Sequence, residues 1–299
     1  MTSYFDAAEA AHAWETCTKN PGHSNFIPLS KFEMSHLPKP HQKAYVLESI
    51  QNVARSTGRI RVGYTSHDRP DDYPFAATRG SEVPHSGTAY VYRVTRGKGR
   101  CPCPDVKGHE DAKKRWWKVN LQTACHVVFN TEEAKRSTVD LFYDDKTSIE
   151  DGRTRTLYGL EVSEQNQAGD RCELICVTHE KELVLELRGL IDQSRNLFNT
   201  ICRKTFRTST NLCVVVSHPH GQHKHITVGK IRGRSKMCGI GRRNFSYDAD
   251  TCRGSSGAPI FMPLGNWIIQ SPWMAPHSHS DPSGDEKLNK SGEGGMWLL

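Results

Sequence analysis

No stretch of this sequence comes near the roughly 18 uninterrupted apolar residues that a membrane-spanning helix needs. Its opening, "MTSYFDAAEAAHAWETC", has neither a basic start nor a signal-like apolar core, so neither a span nor secretion is indicated. Hydrophobic residues stop at 36% and aromatic ones at 8%. With a mean hydropathy of −0.63, the composition describes a globular chain with polar loops rather than one disordered throughout. Internal repeats are lacking, which sets aside solenoids and propellers. Charge of one sign is scarce: 40 Lys and Arg against 33 Asp and Glu leave +7. That excess permits contact with nucleic acid or acidic partners without favouring it.

Cysteine, by contrast, is plentiful. Ten are present, at Cys17, Cys101, Cys103, Cys125, Cys172, Cys176, Cys202, Cys213, Cys238 and Cys252. Without a signal peptide the expected compartment is intracellular, cytoplasmic or nuclear, and there the thiols read as free and half-buried. The 299 residues suffice for one large β-rich domain or two medium ones.

Along the chain, residues 1–40 are mixed and Pro-punctuated and carry no functional signal. "HQKAYVLESIQNVARSTG" (41–58) has Ala44, Val46, Leu47, Ile50 and Val53 near helical spacing and predicts a short amphipathic helix. Short alternating segments follow: "RIRVGYTS", "GTAYVYRV", "WWKVNLQTACHVVF", "STVDLFYD", "RTLYGLEV", "RCELICVT", "NLCVVVSHP", "KHITVGKI", "APIFM" and "NWIIQSP". That many strands between polar turns argue for a barrel or sandwich. One helix interrupts them at 179–201, where Leu183, Leu187, Leu190, Ile191 and Leu197 share a face. Residues 276–299, rich in Ser, Gly, Pro and charge, read as a disordered tail. The division expected is an extension over 1–57, a main domain over 58–275 and that tail.

Chemistry enters with "DTCRGSSGAP" (250–259), where Ser255 and Ser256 sit between Gly254 and Gly257 ahead of an apolar strand. A serine attacks a carbonyl only when a base takes its proton, a third group orients the base and donors await the oxyanion. "TACHVVF" supplies His126 at a strand end. This segment resembles the histidine motif of chymotrypsin/trypsin-like serine proteases, and "GSSGAP" is similar to that family's Gly-Asp-Ser-Gly-Gly-Pro. The resemblance covers about residues 58–272 and is diffuse outside these two motifs. It implies an all-β fold of two six-stranded antiparallel β-barrels, here with a short N-terminal helical extension and one inserted helix. It further implies Ser256 as nucleophile, His126 as base, and the amides of Gly254 and Ser256 as the oxyanion hole. Asp170 in "GDRCELICV" is the expected acid, 44 residues after His126 and 86 before Ser256, which gives the chain order His, Asp, Ser. Glu182, Asp144 and Asp145 are rivals.

Asp250, six positions before Ser256, matches the acid at the base of trypsin's primary specificity pocket and implies cleavage after Lys or Arg; a surface position for it is the open alternative. Ser255 stands where secreted zymogens carry the aspartate that pairs with a newly cut N-terminus, and no Ile-Val-Gly-Gly start is present. The histidines of "HPHGQHKH" and the cysteines of "CPC" match no common closed tetrahedral spacing, so no metal or other cofactor is expected. "VVVSHPHGQHKHITVGKI" reads as two strands around a turn at Pro219–Gly221, and the basic stretch 230–243 as a solvated loop. A serine endopeptidase acting on protein or peptide substrates is the leading reading. A catalytically inactive binding module on the same barrels and a basic nucleic-acid adaptor are the alternatives; the oligomeric state is not legible.

Overall fold

A computed structural model describes residues 10–102, 115–205, 211–236, 242–263, 276–280, 288–292, 294 and 295. The N-terminal segment adds a two-residue strand, β1 (Ile27–Pro28), before the helix Ala44–Arg55. The chain then forms β2 (Thr57–Val62), β3 (His85–Arg96), β4 (Trp117–Thr123), β5 (Ser137–Leu141), β6 (Arg155–Asn166) and β7 (Arg171–Thr178). These six close into an antiparallel barrel in the order β2-β3-β4-β7-β6-β5. Closure follows from strict alternation: Ile60 and Val62, Val119 and Leu121, and Cys172, Leu174 and Cys176 all point inward and are buried. Each such aliphatic side chain contributes about 1.5–3 kcal/mol.

After the helix Lys181–Thr205 come β8 (Leu212–Ser217), β9 (His225–Lys236), β10 (Arg242–Tyr247), β11 (Ile260–Phe261), β12 (His277–Ser280), β13 (Asn289–Ser291) and β14 (Gly294–Gly295). Their path β11-β8-β9-β10-β13-β12 returns on itself. Pro259 bridges Pro276, the His277 amide donates to the Ala258 carbonyl at 2.8 Å, and the Gly257 amide donates to the His277 carbonyl at 2.7 Å. A second six-stranded barrel results, with β1 added along β9 and β14 along β10. The chain thus has the double barrel of the trypsin type.

The two expected helices are both present and pack together, with Asn52 Nδ2 donating to Gln193 Oε1 at 2.8 Å and Arg55 paired to Glu186. Leu183, Leu187, Leu190 and Ile191 of the longer helix cover the first barrel. Arg59 joins the barrels: it is buried, pairs with Asp140 on β5 and donates to the Gly221 carbonyl of the second barrel at 2.9 Å.

Two expectations change. Strand β2 opens the first barrel at Thr57, so the extension merges into the domain. The stretch 276–299, read as a disordered tail, supplies β12, β13 and β14. Polar composition misled there because backbone pairing inside a closed barrel holds short strands whatever their side chains. The segment "NWIIQSP" lies outside the described residues, as do Cys103 and Cys238. Seven described cysteines are free, all but Cys17 buried. Among the described residues no helix is long and apolar enough to cross a membrane.

Candidate active site

β4 ends at Thr123, and the chain turns sharply, the amides of Val127 and Val128 folding back onto the Ala124 carbonyl. That turn lifts the His126 imidazole to the barrel rim. A buried ion pair braces it from behind. Arg69 and Glu133, both with fully buried side chains, meet at 2.7 Å; Arg69 Nη1 donates to the His126 carbonyl at 2.9 Å, and Glu133 Oε2 accepts from the Phe129 amide at 2.9 Å. Glu133→Gln leaves a guanidinium without its counter-charge, so a loss of about 3–5 kcal/mol of stability is expected by urea unfolding. A loss under about 1 kcal/mol would remove the brace from the account.

Asp170 lies at the start of β7 with its backbone in the left-handed region, φ +43, a conformation that non-glycine residues keep only where surroundings hold them. The turn aims its carboxylate at His126. Oδ1 accepts from the His126 amide at 3.0 Å and Oδ2 meets the ring Nδ1 at 2.7 Å. A carboxylate only accepts, so Nδ1 carries the proton and Nε2 is left as the basic nitrogen. Burial by itself would raise the Asp170 pKa, but the charge of His126, its two hydrogen bonds and one from Ser278 Oγ overcome this and pull it down to about 2.

The loop around Ser256 is two successive β-turns. Ser255 donates its amide to the Cys252 carbonyl, and Ala258 donates to the Ser255 carbonyl, each at 3.0 Å. Gly254 and Gly257 occupy the third position of each turn, both at φ +85, the corner that type II geometry reserves for glycine. A Cβ would also collide, at 2.5 Å from the His218 carbonyl for Gly254 and 2.2 Å from the Thr88 carbonyl for Gly257. The pattern of amides is alternate: those of Ser255 and Gly257 are spent on backbone carbonyls, whereas among the described residues those of Gly254 and Ser256 donate to no backbone group. Thr88 on β3 fastens the loop to the first barrel, its hydroxyl donating to the Gly254 carbonyl at 2.8 Å and its amide to the Ser256 carbonyl at 2.8 Å.

Ser278, on β12, connects the pieces. Its hydroxyl donates to Asp170 Oδ2, and its carbonyl accepts from Ser256 Oγ at 3.3 Å. His126, Asp170, Ser278 and Ser256 therefore form one hydrogen-bonded chain across the two barrels. The Ser256 hydroxyl is turned to the Ser278 carbonyl, and no hydrogen bond joins it to His126 among the described residues. The rivals for the acid lie elsewhere: Asp144 pairs with Lys224, Asp145 with Arg153, and Glu182 opens the long helix. Ser255 is fully buried and donates to Ser217 Oγ at 3.1 Å, so no charge sits beneath the loop at that position.

Asp250 is half-exposed, and its Oδ2 accepts from Asn25 Nδ2 at 2.8 Å. Lys19 lies close by, donating to Thr251 Oγ1 at 3.1 Å and to Asn289 Oδ1 at 2.9 Å. Residues 17–25, which carry no signal in the sequence, thus pack against the loop around Ser256, with Asn25 bonded to Asp250. Ser278 was missed for another reason, its place in the stretch read as a tail. Strand counting offers the signal: four strands from Leu212 to Phe261 cannot close a six-stranded barrel, so two more had to come from the residues after them.

No family model matches the sequence, and no curated protein matches it. Among solved structures, the Rv3671c protease from M. tuberculosis in its active form is similar at 14% identity, over 86% of this chain and 82% of that one, with a TM-score of 0.44. The HtrA-type protease AlgW with tripeptide is 14% identical over 84% of this chain and 60% of that one, TM-score 0.44. The serine endoprotease from Yersinia pestis is 11% identical over 87% and 63%, TM-score 0.42. All three are proteases. The chain spans less than two thirds of the last two, and the chemistry has to be read from the side chains.

Proposed function

We propose that the chain is a serine endopeptidase working through Ser256, His126 and Asp170. The observation that supports this is the single hydrogen-bonded chain from Ser256 through Ser278 and Asp170 to His126. Ser256 turns from the Ser278 carbonyl as substrate enters, in keeping with catalytic hydrogen bonds that tighten only in the complex. Its Oγ attacks the peptide carbonyl carbon while its proton passes to His126 Nε2. The uncommitted amides of Gly254 and Ser256 receive the oxyanion. His126 returns the proton to the leaving nitrogen, the C–N bond breaks, and an acyl-enzyme remains. Water, deprotonated by His126, then attacks the ester and frees Ser256.

The substrate is a protein or peptide. Cleavage after Lys or Arg requires the Asp250 carboxylate to exchange Asn25 for the substrate cation. The free thiols of the described cysteines fit an intracellular setting. A second reading, a non-catalytic binding module, draws on the Ser256 hydroxyl being bonded to a carbonyl. Digestion of a proteome-derived peptide mixture separates the two. Wild type is expected to create new N-termini that His126→Ala does not, enriched after Lys and Arg if Asp250 lines the pocket. Equal yields from both proteins would reject the endopeptidase, and cleavage without that enrichment would reject the role of Asp250 alone.

A further inference from the structure

Four side chains from three distant segments converge beneath the nucleophile loop. Cys17 and His23 come from the N-terminal segment, His220 from the turn Pro219–Gly221, and Cys252 from the stretch before Ser256. Their ligating atoms all lie within 4.8 Å of one another. Cys17 Sγ is 3.6 Å from Cys252 Sγ, His220 Nε2 is 3.2 Å from His23 Nε2, and Cys252 Sγ is 3.5 Å from His23 Nε2. Elementary geometry gives the separations an ion would impose. With Zn–S about 2.3 Å and Zn–N about 2.0–2.1 Å, a tetrahedron sets sulfurs about 3.8 Å apart, nitrogens about 3.3 Å and sulfur to nitrogen about 3.5 Å. The three observed distances match this set within about 0.2 Å.

We propose that Cys17, His23, His220 and Cys252 form a structural zinc site. Two thiolates neutralise the ion's charge, two imidazoles bind through Nε2, and all four tetrahedral positions are filled by protein, so none is open to substrate or water. The surroundings suit thiolates. The Asn20 amide donates to Cys17 Sγ at 3.5 Å and Asn20 Nδ2 to Cys252 Sγ at 3.2 Å. Trp14 stacks on the His23 ring at 3.7 Å and meets His220 edge-on, which covers the imidazoles. His23 and His220 both sit at positive φ, +49 and +54, so backbone strain is accepted at both nitrogen ligands. A disulfide between the two cysteines would need sulfurs about 2.05 Å apart and would leave the paired histidines without a role.

The sequence concealed this site, for which no metal was expected, because Cys17 and Cys252 stand 235 residues apart and His23 and His220 197, and the local spacings follow no finger pattern. Its place gives it a consequence. Cys252 lies four positions before Ser256, and the His220 amide donates to the Arg253 carbonyl at 2.5 Å. The ion would thus pin the N-terminal segment to the loop that carries the nucleophile.

Elemental analysis of the full chain purified without chelator, followed by Co(II) exchange, tests the proposal independently of any hydrolysis. One zinc per chain is expected. Cobalt should give the ligand-field bands of a tetrahedral ion with sulfur-to-cobalt charge transfer from two thiolates, and Cys17→Ser and His220→Ala should each lose at least ten-fold in metal affinity. Should either variant fail to fold, the wild-type cobalt spectrum and the competition of zinc for cobalt decide alone. Less than about a tenth of an equivalent after zinc loading, a cobalt spectrum without sulfur charge transfer, or a metal-free denatured chain two hydrogen atoms lighter through a Cys17–Cys252 disulfide would each overturn it.

Discussion

Ser256→Ala is expected to lower kcat for peptide hydrolysis by about 10⁶-fold with little change in KM or stability. The substitution deletes one oxygen, whose hydrogen bond to the Ser278 carbonyl, 3.3 Å long, is half-exposed, so folding should move by no more than about 0.5 kcal/mol. The loop keeps its shape because its turns are built from backbone bonds and from the two positive-φ glycines. Without Oγ no acyl-enzyme forms, while the oxyanion donors and the cleft remain to bind substrate. A reduction below ten-fold, measured on protein cleared of host proteases, would mean that another group is the nucleophile.

Asp170→Asn is the second large effect, about 10⁴-fold in kcat. The carboxylate accepts three hydrogen bonds, from the His126 amide, the His126 ring and Ser278. An amide has one oxygen and one NH₂ in the same place. With the oxygen on the His126 amide, the NH₂ faces Nδ1 and forces the imidazole to hold its proton on Nε2, where it cannot act as a base. The pH dependence of stability supplies a second readout. In the folded chain the Asp170 pKa lies at about 2, below the ordinary value of about 3.9. Its stabilising contribution is therefore complete above about pH 4 and lost as pH falls toward 2. Urea midpoints for wild type should fall more steeply than those of Asp170→Asn in that window. Parallel curves, or an Asn variant with more than a tenth of the activity, would move the acid's role to another residue.

Much of the architecture was legible where side chains alternate against a core. "RCELICVT" coincides with β7, and the two amphipathic stretches became the two helices, because inward aliphatic residues at period 2 or 3.6 leave few alternatives. His126 and Asp170 meet for a similar reason: each sits beside the end of a strand, β4 and β7, whose barrel fixes its position. What escaped notice lacks any period. β12 and β13 are short and polar, with His277, Ser278 and Asn289 buried, and only closure of the barrel requires them. Residues 17–25 act through single side chains on partners such as Thr251 and Asn289, 232 and 270 positions away. No local spacing can announce contacts of that kind, and they change the setting of Asp250.

The central claim, that an activated alcohol at Ser256 faces a base at His126, is tested most directly by a fluorophosphonate followed by peptide mapping. The serine oxygen displaces fluoride from phosphorus only if a base accepts its proton, so labelling reports the pair without any knowledge of the natural substrate. Stoichiometric phosphonylation at Ser256, absent in Ser256→Ala and greatly slowed in His126→Ala, is the outcome expected. An unlabelled wild type, or a label carried on any other residue, would contradict it.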